Sequence, residues 1–171
     1  MSGEGILNQE ALLLNNCVLN LPLNSKTSIG KTVTVSGNAC LTNAVSSPIT
    51  SNKTVGYFDG NGDYLSIPYC SDWDLGSADF TIEWWSNLSS YYSTGRNVVS
   101  CRTSALHGWV VSAANSANKI GFAGYVGGSW ASKIEVLYPS LNVWHHIAIT
   151  RSGTLWTIWI DGTSAVTATI S

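Results

Sequence analysis

The sequence predicts an all-β domain, a sandwich or a barrel. Three observations carry the prediction. Apolar residues recur with a period of two along most of the chain. The alternating runs are short, about a dozen in all. Glycine, asparagine and aspartate turns separate them. A length of 171 residues suits one domain, and neither an internal repeat nor a composition break marks a second. The nearest approach to a helical pattern is 8–16, where Gln9-Glu10-Ala11-Leu12-Leu13-Leu14 reads as a turn or two of helix or as an extended arm. Residues 1–16 are therefore read as an N-terminal arm or anchor, and 17–171 as the domain.

The elements follow in order. Cys17-Val18-Leu19-Asn20-Leu21-Pro22-Leu23 alternates, and Pro22 places it at an edge or a strand end. Thr32-Val33-Thr34-Val35-Ser36 alternates and stops at Gly37; the rest of 24–54 is polar and reads as an irregular crossover. Short strands are expected at 55–58 and 64–67, around the turn dipeptide Asn61-Gly62. The clearest strand is Phe80-Thr81-Ile82-Glu83-Trp84-Trp85: Phe80, Ile82 and Trp84 share one face, Thr81, Glu83 and Trp85 the other. Further strands are expected at 97–101, 108–113, 119–125 and 133–137. A meander closes the chain: 144–150, a turn at Ser152-Gly153, 155–160, the strong hairpin signal Asp161-Gly162, then 166–170.

Composition excludes several functions. Charged residues are 11 % of the chain, less than half the usual ~25 %, and serine, threonine and asparagine fill the gap. A net charge of −2 without a basic block argues against nucleic-acid binding and against a polybasic membrane surface. No run of about 18 apolar residues exists to span a bilayer. Eight tryptophans are far from a disordered composition. The start, Met1-Ser2-Gly3-Glu4-Gly5, lacks the basic region of a secretory signal, so a cytoplasmic origin is expected. Cys17, Cys40, Cys70 and Cys101 are too scattered for a zinc site and read as buried free thiols.

Tyr57-Phe58-Asp59-Gly60-Asn61-Gly62-Asp63-Tyr64-Leu65-Ser66-Ile67-Pro68 resembles a motif of laminin-G-like, concanavalin A-like jelly rolls. The stretch from Trp73 to Trp85 looks like that family's central strand and its lead-in. Trp144-His145-His146-Ile147-Ala148-Ile149-Thr150-Arg151, with 155–162, looks like its late hairpin, and Leu19-Asn20-Leu21-Pro22-Leu23-Asn24 like its opening strand. The resemblance implies a two-sheet antiparallel jelly-roll sandwich of six or seven strands per sheet, with ligands on the concave sheet or at rim loops. It is specific for fold, not function. The family pattern continues beyond the late hairpin to a closing strand that pairs near 80–85, whereas this sequence stops at Ser171. The arm, a neighbouring subunit or another strand order is expected to fill that place.

Chemistry is sparse. No ExDxE run supplies the carboxylate pair of a retaining glycosidase, and Glu83 stands alone on its strand, so no catalytic residue is assigned. No GxSxG elbow occurs; His145 and His146 point to opposite faces of one strand and are expected to pack or hydrogen-bond. Asp59, Asn61 and Asp63 alternate through a glycine-rich turn; turn formation is the preferred reading, calcium at Asp59 and Asp63 the weaker one. No other cofactor is implied. Tyr91, Tyr92, Tyr125 and Trp130 fall in expected loops or turns and are the candidate contacts for a glycan or a partner protein. Trp73, Trp84, Trp144, Trp156 and Trp159 are assigned to the core or the sheet surface.

The resemblance, the small polar side chains and the low charge together look most like modules of bacteriophage virion proteins. The expected function is a non-enzymatic structural or adhesion module on the virion surface, a capsid decoration or tail appendage with weak glycan binding. Its partners would be copies of itself, other virion proteins and a cell-surface glycan. A free-standing carbohydrate-binding lectin is the alternative, and a glycoside hydrolase a disfavoured third.

Overall fold

The computed structural model describes residues 27–28, 31–42, 48, 55–91, 96–102, 107–113, 117–126 and 129–170. The arm at 1–16, the strand expected at 17–23 and Tyr92 lie outside them. The chain divides into two compact units, Met1–Pro68 and Tyr69–Ser171.

The described residues of the first unit form six short strands: β1 (Thr27–Ser28), β2 (Lys31–Thr32), β3 (Thr34–Ser36), β4 (Cys40–Thr42), β5 (Val55–Tyr57) and β6 (Tyr64–Ser66). They pair antiparallel as β1–β2, β3–β6 and β4–β5. β3 falls in the strand expected at 32–36, while β1 and β4 lie where an irregular crossover was expected. Their polar residues stand on ladders that satisfy the backbone groups, a signal that composition hides. Gly37 turns the chain out of β3 at φ +76°, and a side chain there would collide with the Asp63 carboxylate.

The second unit is an antiparallel sandwich. After a 3-10 turn at Ser71–Trp73 come β7 (Phe80–Ser86), β8 (Arg96–Arg102), β9 (His107–Ala113), β10 (Lys119–Val126), β11 (Ser129–Leu137), β12 (His145–Ser152), β13 (Leu155–Ile160) and β14 (Thr163–Thr169). One sheet has the order β11-β10-β9-β8, the other β14-β13-β12-β7. Among the described residues each of these sheets holds four strands. Among the described residues β7 pairs only with β12 and ends its sheet.

Period-two alternation decides what faces inward. Val111, Ile120, Phe122 and Ile134 from the first sheet meet Ile147, Ile149, Trp156 and Ile158 from the second, all buried. Phe80, Ile82 and Trp84 pack against them from β7, as the sequence predicts. Burial of these side chains contributes ~1.5–3 kcal/mol each before conformational entropy is charged against it.

The β12–β13–β14 meander turns as read. Asp161 and Gly162 both have positive φ, +50° and +76°, the geometry of a two-residue type I′ hairpin. Three irregularities interrupt the described ladders, one of them between Asn97 and Val99 in the β8–β9 pair. Phe122 faces Ile134 while Ala123 faces Ser132, and Ile158 faces Val166 while Trp159 faces Ser164. The thiols depart from expectation. Cys40 is exposed, and Cys70 and Cys101 are half-buried, so none of the described three is a core residue. Cys70 sits in the lead-in to the 3-10 turn, and Cys101, near the end of β8, shares the inward phase of Val99 and packs against the core from its margin. Partial burial pushes the Cys101 thiol above its ordinary value.

Candidate functional site

The outward positions of the β14-β13-β12-β7 sheet carry threonines and serines, the aliphatics Ala148 and Leu155, one carboxylate, one imidazole and two indoles. Strand pleat aims Thr81, Glu83 and Trp85 outward, opposite to Phe80, Ile82 and Trp84. On β12 the same pleat aims His146, Ala148 and Thr150 outward, and register sets His146 beside Trp85 and Ala148 beside Glu83. The rings of Trp85 and His146 lie 5.2 Å apart, tilted by 48°. His146 Nε2 is 3.3 Å from Glu83 Oε2, with the Glu83 side chain 63 % exposed. Trp85 is 40 % exposed. On β13 the Trp159 Nε1–H reaches across to donate to Thr150 Oγ1 at 3.0 Å. The arrangement offers an indole surface, a carboxylate and an imidazole on a rigid floor of paired strands.

Opposite pleat positions separate the two histidines, as expected from their adjacency. His145 is buried on the inner side. Its Nδ1–H donates to Asp161 Oδ2 at 2.8 Å, and its Nε2 accepts from the Ser140 hydroxyl at 2.9 Å, the tautomer a carboxylate partner selects. The atom order is that of a Ser-His-Asp relay. The burial is reversed, however: the imidazole is enclosed, while the Asp161 side chain is 49 % exposed. Asp161 Oδ1 also accepts the His146 N–H at 2.9 Å, and the Asp161 N–H donates to the His146 carbonyl at 2.8 Å. The chain of bonds clasps the end of the β12–β13 hairpin and ties Ser140 to it.

In the first unit, Asp59 and Asp63 lock a turn. Asp59 Oδ1 accepts the Asn61 N–H at 2.6 Å and Oδ2 accepts Asn38 Nδ2–H at 3.1 Å. Asp63 Oδ1 accepts the Asn38 N–H at 2.7 Å and Oδ2 accepts the Asp59 N–H at 2.9 Å. Every carboxylate oxygen already faces an N–H donor, the arrangement of Asx turns rather than of an open cation cage.

These bonds have a pH signature. Asp161 titrates below the ordinary carboxylate range because His145 hydrogen-bonds it, and Asp59 does so chiefly through the Asn61 N–H. A carboxylate with a lowered folded-state pKa adds stability above its unfolded value of ~3.9 and loses it as pH falls through the folded value. The contribution of these two carboxylates is therefore expected to be level at neutral pH and to decline below about pH 4. Asp161→Asn should flatten that decline for the second unit, in urea titrations followed by tryptophan fluorescence.

The aromatic candidates from sequence do not form one cluster. Tyr91 is exposed and sets its edge against Tyr138, ring centroids 6.5 Å apart. Tyr125 and Trp130 are not on loops: they lie in β10 and β11, directly opposite one another in register. The glycines and serines around Trp130 suggested a loop, but the backbone at 129–132 pairs with β10. Trp156 and Trp84 face the core, as assigned, and Trp159 lies on the sheet surface. Sequence reasoning missed Trp85 and His146 as site residues. The signal was present: the alternation that buries Trp84 exposes Trp85.

A laminin G-type profile, described as the Concanavalin A-like lectin/glucanases superfamily, matches residues 59–171. The chain belongs to that superfamily. Among solved structures it is similar to the carbohydrate-binding module CBM66 from Bacillus subtilis, at 18 % identity over 81 % of this chain and 80 % of that one, with a TM-score of 0.50. It is also similar to an S-layer domain-containing protein from Clostridium thermocellum, at 22 % identity over 81 % of this chain and 61 % of that one, with a TM-score of 0.47. No curated protein sequence matches it. The jelly-roll sandwich expected from sequence is therefore the fold.

Proposed function

We propose that the protein is a non-catalytic carbohydrate-binding module, serving adhesion or decoration on the surface of a bacteriophage particle. The observation that carries the glycan reading is the exposed Trp85 indole, flanked by Glu83 and His146 on a threonine-lined sheet face. An indole face packs against the C–H face of a sugar ring, and polar neighbours bond its hydroxyls. The superfamily and the CBM66 likeness agree with a carbohydrate-binding role. A binding rather than hydrolytic role is supported at Glu83. Retaining glycosidases hold a second carboxyl ~5–5.5 Å from the first, whereas the neighbour of Glu83 is an imidazole.

The particle setting, with virion proteins and further copies of the chain as partners, is supported by the 11 % charge content and the abundance of small polar side chains. A free-standing lectin would use the same face without the particle. Tyr125 and Trp130 remain a second candidate contact.

Glycan-array binding followed by calorimetry tests the site. Trp85→Ala is expected to weaken binding about tenfold or more, because it removes the apolar ring surface that the sugar would cover, with no reducing ends released by either protein. Trp130→Ala is the parallel variant for the hairpin contact. The setting is tested by sedimentation of the protein with a particle of megadalton mass.

A further inference from the structure

The outer face also carries a charge pattern that selects among glycans; this step rests on the binding reading above. Among the described residues, the positions of β7, β12, β13 and β14 that point outward are threonines, serines, aliphatics, two tryptophans, His146 and Glu83. Glu83 is the single formal charge in that set, and it is negative. That set of described residues holds no lysine or arginine to receive an anion. The Arg151 guanidinium is engaged elsewhere, donating to the Gly76 and Gly153 carbonyls and lying over Trp156.

A carboxylate accepts bonds at about four lone-pair sites, and His146 lies at one Glu83 oxygen, 3.3 Å away, with the side chain largely in solvent. The remaining capacity suits a donor pair, such as two adjacent hydroxyls. His146 and the indole stand on the same side of Glu83, since His146 neighbours both. We infer that this face takes a neutral, hydroxyl-rich sugar ring laid on Trp85, with two adjacent hydroxyls donating to Glu83, and that it rejects uronic and sialic acids. An acidic sugar brought to that place would set two carboxylates ~5 Å apart. Repulsion in water then weakens it about fourfold, and more as solvent is excluded. Among the described outward positions it would also find no lysine or arginine in return.

The test compares a panel of neutral oligosaccharides with their uronic- and sialic-acid counterparts, by calorimetry, on the full chain. The wild type is expected to prefer the neutral member at least tenfold. Glu83→Gln should lower neutral affinity about tenfold, as a charge-assisted bond becomes an ordinary one, and should narrow the neutral-over-acidic preference to threefold or less. Trp85→Phe, which keeps a ring, should fall between wild type and Trp85→Ala. Unchanged urea midpoints establish that the variants fold. Equal or stronger binding of acidic sugars overturns the inference while leaving glycan binding intact. So does neutral binding that survives both Glu83→Gln and Trp85→Ala. Failure to bind any glycan of the panel overturns the binding reading itself.

Discussion

Replacing Phe122 by alanine is expected to lower the unfolding free energy by about 3–5 kcal/mol. Phe122 is 5 % exposed and lies at the hub of the aromatic core. Its ring centroid is 5.0 Å from Trp156, 5.6 Å from Phe80 and 6.1 Å from Trp109. Trp156 and Phe80 belong to the opposite sheet, so the ring bridges the two layers. Truncation removes the buried area, leaves a cavity that paired strands cannot collapse to fill, and breaks ring contacts from both layers. Phe122→Leu keeps most of the volume and should cost less than half as much. Urea denaturation with an unchanged m-value reads both effects. A loss under 1 kcal/mol for Phe122→Ala would mean that the layers are held elsewhere.

His145→Ala is expected to cost about 2–4 kcal/mol, combining a cavity with two lost hydrogen bonds. Its imidazole bonds Asp161 on one side and Ser140 on the other, with the Tyr138 ring edge-on at 6.0 Å. Ser140 and Asp161 are exposed, so water replaces their lost bonds, and Ser140→Ala should cost about 1 kcal/mol or less. A His145/Asp161 double-mutant cycle isolates the coupling between the pair. A coupling near zero would refute the clasp. If Ser140 instead proved to be a nucleophile, a fluorophosphonate would label it and His145→Ala would abolish the labelling.

Where alternation and turn chemistry agree, the sequence was sufficient. The expected strand at 155–160 coincides with β13, and Asp161-Gly162 makes the hairpin turn. The expected strand at 80–85 is β7 to within one residue, with the predicted face inward. Superfamily membership was legible because its motifs are packing and turn patterns. The sites were harder to read. Trp130 lies in a glycine-rich run whose strand character comes from pairing with β10, a partner that local sequence does not name. The His145 clasp joins residues from positions 140 to 161, and no spacing rule for a nucleophile or metal describes it. The residues of the Trp85 face could be assigned to one side of β7, but their meeting with His146 required the β7–β12 register.

The bulge between β13 and β14 has a consequence for how this chain tolerates change. The Asp161-Gly162 hairpin sets Thr163 opposite Ile160 and Ser164 opposite Trp159, yet Val166, not Ala165, stands opposite Ile158. Ala165 is thus the spare residue of the ladder. If it were paired in a regular ladder instead of bulged out, Thr167 would stand opposite Trp156 and face the sandwich, while Val166 and Ala168 faced water. Deleting Ala165 itself would remove the bulge and leave Val166 opposite Ile158, so the loss of one residue here is expected to keep the inward face of β14. Inserting one further residue without a second bulge would turn the rest of the strand inside out.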